Sequence, residues 1–225
     1  VTEENGGGGQ VGGIADVGHS PVPGAVANVE AIQGYGKERI RRETRGIDLL
    51  SVSAHKSHGP KGIGCLYIDG KVKIKPILLG GGQQRGRRSG TENGPGSAGR
   101  GVAAREAYRD FDSKIAYSTG LKDYLIDGLL GLEGVTVNSA KGDGGAPQIV
   151  SASFFGVRSE VLLHALEDKG IYVSSGSACS SNHPAIRGPL RAIGVKKALW
   201  DSTLRFRFGM FHTRAQMAYC FPGRG

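Results

Sequence analysis

An α/β fold is predicted by two features of this 225-residue sequence. Short apolar runs, each bounded by glycine or polar turn residues, read as buried strands. Between them lie segments whose apolar residues recur every three to four positions, the period of a helix packed on one face. Strands alternating with helices build an α/β architecture, and no internal repeat competes with that reading.

The elements follow in order. Residues 1–24 are rich in glycine and proline, with GGGG at 6–9, and read as loop. AVANVEAIQGYG (25–36) begins as a short apolar strand and ends in a glycine-bearing turn. IDLLSVSAHK (47–56) is a buried strand, Ile47 to Val52, running into a polar turn. GIGCLYI (62–68) is a further strand, and LLGGGQQRGRRSGTEN (78–93) a long, basic, glycine-rich loop. Val102, Ala103, Ala107, Phe111, Ile115, Leu121, Leu125 and Leu129 then keep a helical period, weakened midway by Gly120. GVTVNS (134–139) and PQIVSASF (147–154) read as strands. SEVLLHALEDKG (159–170) carries helix signals at both ends: Ser159 as cap, Glu160 in the first turn, Lys169 in the last, and Gly170 as the stop. IYVS is a strand entering SSGSACSSN (174–182). STLRFRFG (202–209) alternates Leu204, Phe206 and Phe208 against Thr203, Arg205 and Arg207, the pattern of a half-buried strand.

Composition narrows the function. Glycine is 39 of 225 residues, more than twice the usual share of about 7%, which suits loops that bring backbone close to a ligand. The net charge of +9 allows an anionic partner. The basic runs ERIRRETR (38–45) and QQRGRRSG (83–90) lack the interleaved aromatic residues that single-strand nucleic-acid binders stack on, so no direct nucleic-acid contact is expected. Three cysteines, Cys65, Cys179 and Cys220, are too few and too odd in number for a disulfide framework. They suit a reducing compartment, and with no signal peptide or membrane span visible the expected location is the cytoplasm.

Several residues can carry chemistry. Lys56 ends a buried strand, and a partly desolvated lysine there can lose its proton and form a Schiff base with an aldehyde. Ser53 and His55 beside it can bind a phosphate. Glu30 ends an apolar strand, where a carboxylate can pair with a protonated pyridine nitrogen; Gln33 can bond a ring substituent. Backbone amides, arginines, Ser89 and Thr91 meet in GGGQQRGRRSGT (80–91), which can cradle phosphate but is no nucleotide P-loop. Arg205 can hold a carboxylate in a bidentate pair. Cys179 and His183 have C-x₃-H spacing with no second pair, so no intrinsic metal site is expected.

Together, in this order, SVSAHKSHGPKGIGCLY, GGGQQRGRRSGTEN, VSSGSACSS and STLRFRFG resemble the cysteine desulfurases, pyridoxal phosphate enzymes of fold type I related to the class V aminotransferases. The likeness runs from about Val29 to Phe211, and the Cys179 motif resembles the first group within that family. The family's front portion, with a further phosphate loop and a histidine that stacks on the cofactor, has no counterpart in the resemblance. The resemblance implies that Lys56 holds pyridoxal 5'-phosphate covalently, that Ser53 and His55 bind its phosphate, and that Gln33 and Glu30 meet its ring. Thr91 matches a threonine reaching the phosphate of a partner subunit, which implies a homodimer. Arg205 is implied to hold the carboxylate of L-cysteine. Cys179 is implied to be the nucleophile that takes the sulfur as a persulfide. The small residues around Cys179 suit an arm that carries the thiolate between cofactor and acceptor.

The implied organisation is a partial large domain over 1–112 and a smaller α/β domain over 113–225 that carries the cysteine loop. The implied acceptor is an iron–sulfur scaffold or a tRNA-thiolation relay, whose cluster the Cys179 persulfide contacts in complex. Alternative readings are a selenocysteine lyase or aminotransferase relative, and a non-catalytic sulfur-relay or scaffold partner.

Overall fold

A computed structural model of the protein describes residues 2–3, 25–40, 46–175 and 188–221. They form two compact units, one ending at Arg109 and the other beginning at Asp110. Both are mixed α/β, as the sequence predicts.

The first unit is built on a four-stranded sheet, order β1-β2-β3-β4. Its strands are β1 (Thr2–Glu3), β2 (Asn28–Glu30), β3 (Leu49–Ser53) and β4 (Gly64–Ile68). β1, β2 and β3 run parallel, and β4 returns antiparallel to β3. β1 corrects the sequence reading, which placed loop there: two residues pair with Val29 and Glu30 despite the glycine-rich segment that follows. Val29, Ala31, Ile47 and Val52 form the core on this sheet. Asp48, buried just ahead of β3, accepts the Ala27 N–H at 2.8 Å and pairs with Lys71 at 2.7 Å.

The helical segment also departs from its prediction. It is two helices, α1 (Gly94–Tyr108) and α2 (Phe111–Leu130), and Gly120 lies unbroken inside the second. The break falls at Asp110, whose left-handed backbone (φ 49°, ψ 38°) turns the chain. α1 starts within a glycine-rich stretch because Asn93 caps it: its Oδ1 accepts the Gly96 N–H at 2.9 Å. Pro95 stands in the first turn, where its missing N–H is no loss. A Cβ on Gly99 would come within 2.8 Å of the Pro60 ring, so the glycines let α1 lie close to the turn after β3.

In the second unit the sheet order is β5-β6-β8-β7, antiparallel throughout. The strands are β5 (Val135–Val137), β6 (Ile149–Phe154), β7 (Ser174–Ser175) and β8 (Thr203–Arg207). Leu121, Leu125, Ile126 and Leu129 of α2 pack on Val150, Ala152, Leu204 and Phe206. The fully buried Lys122 donates to the Gly142 carbonyl at 2.5 Å and the Gly145 carbonyl at 3.5 Å, and burial pulls its pKa down. α3 (Ser159–Glu167) follows β6. Its N-cap is Arg158, in extended conformation, and Ser159 is buried inside the first turn instead of capping it. Among its described residues the unit also holds two short α-helices, α4 (Gly188–Ala192) and α5 (Arg214–Ala218), with a 3-10 helix, Lys197–Ser202, between them; α5 is closed by a Thr213–Gln216 capping box. Among the described residues no helix is long and apolar enough to cross a membrane.

Candidate functional site

The parallel β2 and β3 end at the same edge of their sheet, the position where ligands bind in open α/β sheets. Register fixes the neighbours there. Glu30 lies opposite Ser51, and the Ala31 N–H donates to the Ser51 carbonyl at 2.9 Å. Ser53 ends β3 two residues further on, and a single 3-10 turn, Ala54–Lys56, follows at once. Five predicted residues therefore share this edge: Glu30, Gln33, Ser53, His55 and Lys56. Lys56, Glu30, Gln33 and Ser53 are half-buried and His55 is exposed.

The Lys56 turn is tightly tied. The Ala54 carbonyl accepts the N–H groups of Ser57 and Gly59, both at 2.9 Å, and the Ser57 hydroxyl at 3.1 Å. The Ala54 N–H donates to Ile63 at 3.0 Å, which folds the chain back into β4. Gly64 sits opposite Ser53, and a Cβ there would lie 2.6 Å from the Val52 carbonyl oxygen. Only glycine lets the returning strand come this close. The Lys37 ammonium donates to the Lys56 carbonyl at 2.9 Å.

Gln33 lies in the turn after β2. That turn is held by the Tyr35 N–H on the Ala31 carbonyl at 2.9 Å and the Gly36 N–H on the Tyr108 hydroxyl at 3.3 Å. The Tyr35 and Tyr108 rings meet edge to face, centroids 5.5 Å apart. Burial pushes the Tyr108 phenol above its ordinary pKa. Thr91 lies on another segment, the exposed basic loop before α1. Within that loop Gln84 and Arg85 adopt left-handed backbone (φ 51° and 57°), and Gln84 Nε2 donates to Glu92 Oε1 at 2.6 Å. A non-glycine residue in this region carries strain.

Arg205 belongs to the second unit. It is 8% exposed, which corrects the half-buried reading of its strand: residues on both faces of β8 are buried, and the strand is an inner one, paired with β6 and β7. The pairing puts Ser151 of β6 and Ser174 of β7 on either side of Arg205. The same sheet face is polar. Ser153 and Thr203 share a 2.7 Å hydrogen bond, and Asn138 Nδ2 donates to Ser153 Oγ at 2.9 Å. A guanidinium among hydroxyls suits a carboxylate ligand. Burial lowers the Arg207 pKa two residues on. Cys179 and His183 lie outside the described residues; Cys179 stands four positions beyond Ser175, the last residue of β7.

Sequence reasoning missed Ser151, Ser174 and Lys37. The alternation in PQIVSASF puts Ser151 and Ser153 on one face, but which strand they pair with is not in the pattern. The reach of Lys37 to Lys56, 19 positions away, left no sequence signal. Among the described residues no group of three histidine, cysteine or acidic side chains could hold a metal ion.

Residues 3–219 match the class-V aminotransferase family. The chain is 44% identical over 194 residues to the mitochondrial cysteine desulfurase of Saccharomyces cerevisiae, covering 85% of this chain and 38% of that protein. It is 40% identical over 196 residues to a cysteine desulfurase of Vibrio cholerae, covering 86% and 48%. Among solved structures, a NifS-like protein superposes with a TM-score of 0.77 at 33% identity, covering 87% of this chain and 50% of that one. The chain thus spans half or less of the length of these relatives.

Proposed function

The chain belongs to the class-V aminotransferase family, with the fold of the type I pyridoxal phosphate enzymes, and on that premise we propose that it serves as a cysteine desulfurase. Sulfur leaves L-cysteine, L-alanine is released, and Cys179 carries the sulfur as a persulfide. The observation that supports this reading best is the convergence of Glu30, Gln33, Ser53, His55 and Lys56 at the carboxyl ends of two parallel strands.

Pyridoxal 5'-phosphate suits this donor set. Lys56 offers an amine to its aldehyde, Glu30 a carboxylate to its ring nitrogen, Gln33 an amide to a ring substituent, and Ser53 and His55 donors to its phosphate. Gly64 lets β4 lie tightly against the strand end that carries Ser53. When bound, the cofactor supplies the electron sink that makes the bonds around the substrate Cα and Cβ labile. Lys56 then moves the Cα proton, and Arg205 orients the substrate through its carboxylate. The Cys179 thiolate attacks the substrate sulfur. An S–S bond forms, the Cβ–S bond breaks with its electron pair left on the carbon side, and a proton completes the alanine methyl group. The thiolate is the reactive form.

Thr91, on its exposed loop, is proposed to reach the cofactor phosphate of a second copy, so the working form is a homodimer. The persulfide passes to an iron–sulfur scaffold or another sulfur-acceptor protein. Sparse cysteines favour a reducing compartment such as the cytoplasm.

The test is release of sulfide from L-cysteine in the presence of a dithiol and added cofactor. Wild type is expected to release it and Cys179→Ala to lose it. Sulfide release unchanged in Cys179→Ser would refute the persulfide chemistry; transfer of the amino group to a keto acid without sulfide release, unchanged in Cys179→Ser, would favour an aminotransferase.

A further inference from the structure

Two turns at the sheet edge carry the proposed cofactor residues: one follows β2 and bears Gln33, the other follows β3 and bears Lys56. The Lys37 side chain joins them. Lys37 reaches from the first turn and donates its ammonium to the Lys56 carbonyl at 2.9 Å. The geometry points to Lys37 as a positioning residue that locks the Lys56 turn against the Gln33 turn; this rests on the reading of Lys56 as the cofactor lysine.

The physical case has three parts. The carbonyls at the end of a helical turn lack partners within the turn, and a cation near them is favourable. The Ala54 carbonyl takes three donors from within the turn, from Ser57 and Gly59, whereas the Lys56 carbonyl takes the Lys37 ammonium from outside it. A charged donor makes a stronger bond than a neutral one. The base from which Lys37 reaches is also fixed. Gly36, its neighbour, donates to Tyr108 of α1, and a Cβ on Gly36 would lie 2.9 Å from the Ala107 methyl. The Lys37 and Glu38 N–H groups both bond the Gly34 carbonyl at 2.9 Å. Lys37 therefore transmits the position of a turn seated on α1 to the backbone of Lys56.

Lys37→Met keeps the length of the side chain and removes the donor; Lys37→Arg restores a donor. Two readouts apply to the full chain. The first is hydrogen exchange at the Ser57 and Gly59 amides without cofactor, expected to rise at least tenfold in Lys37→Met and to return toward wild type in Lys37→Arg. The second is the fraction of Lys56 labelled by borohydride after subsaturating pyridoxal 5'-phosphate, read by peptide mass and expected to fall about tenfold and recover in the same way. Unchanged exchange in Lys37→Met overturns the lock. Faster exchange with unchanged labelling, or with loss that arginine does not rescue, overturns the positioning role. Absence of label on Lys56 in wild type refutes the cofactor reading on which the positioning role depends, and the exchange readout still decides the lock.

Discussion

Replacing Gly64 by alanine tests how the Lys56 turn is held. The new methyl would lie 2.6 Å from the Val52 carbonyl oxygen, far inside the 3.4 Å where ordinary contact begins. The obstacle is backbone within a paired strand, Val52 facing Cys65 and Ser53 facing Gly64, so no rotamer change relieves it. Overpacking of this kind costs about 1–3 kcal/mol. For a chain of this size each kcal/mol lowers Tm by about 2–4 °C, so a 2 kcal/mol cost gives about 4–8 °C. The control is Gly70→Ala, where a Cβ meets nothing within 4 Å and the backbone is one that L-residues adopt. There the loss of unfolded-state freedom favours folding by about 0.4–1 kcal/mol. Calorimetry on both variants reads the difference. Because the strain falls on the strand end that carries Ser53, Gly64→Ala is also expected to lower labelling of Lys56 by cofactor and borohydride. Equal melting of the two variants would refute the close-approach argument.

Two further outcomes follow from the same unit. The Lys71 ammonium and the Ala27 N–H hold the Asp48 carboxyl below its usual pKa against the opposing effect of burial. Its contribution is therefore complete above the unfolded value of about 3.9 and is lost as pH falls from there through the folded value; urea melts should show Asp48→Asn erasing that acid-side loss and lowering stability at neutral pH. Asn93→Ala removes the side chain that caps α1 and should cost about 0.5–2 kcal/mol, measured as a lower urea midpoint at unchanged slope.

The sequence showed the strands well because their apolar runs are short and punctuated, as in IDLLSVS and PQIVSASF. It missed the helix break because a 3.6-residue period continues across Asp110, and nothing in the periodicity marks a left-handed residue. The helical period first shows at Val102, because the glycines of GPGSAGRG (94–101) carry no apolar pattern; there Asn93 supplies a cap and Gly99 lets the helix lie against Pro60. Alternation in STLRFRFG gave the two faces of β8, but burial on both of them, and pairing with β6 and the two-residue β7, are tertiary facts that no local pattern contains. The candidate site was legible where one segment holds it, as in Ser53, His55 and Lys56. Its joining to Glu30 needed the parallel register, and Lys37 emerged only from the folded chain.

The central claim is that Lys56 holds pyridoxal 5'-phosphate at the ends of β2 and β3. The most direct measurement is the absorbance spectrum of the purified chain with added cofactor, before and after borohydride, with peptide mass analysis of the reduced product. The account predicts a protein-bound visible band that borohydride bleaches, label on Lys56, a spectral change on adding L-cysteine, and none of these in Lys56→Ala. A spectrum identical to free cofactor, or label carried by a different lysine, would contradict it.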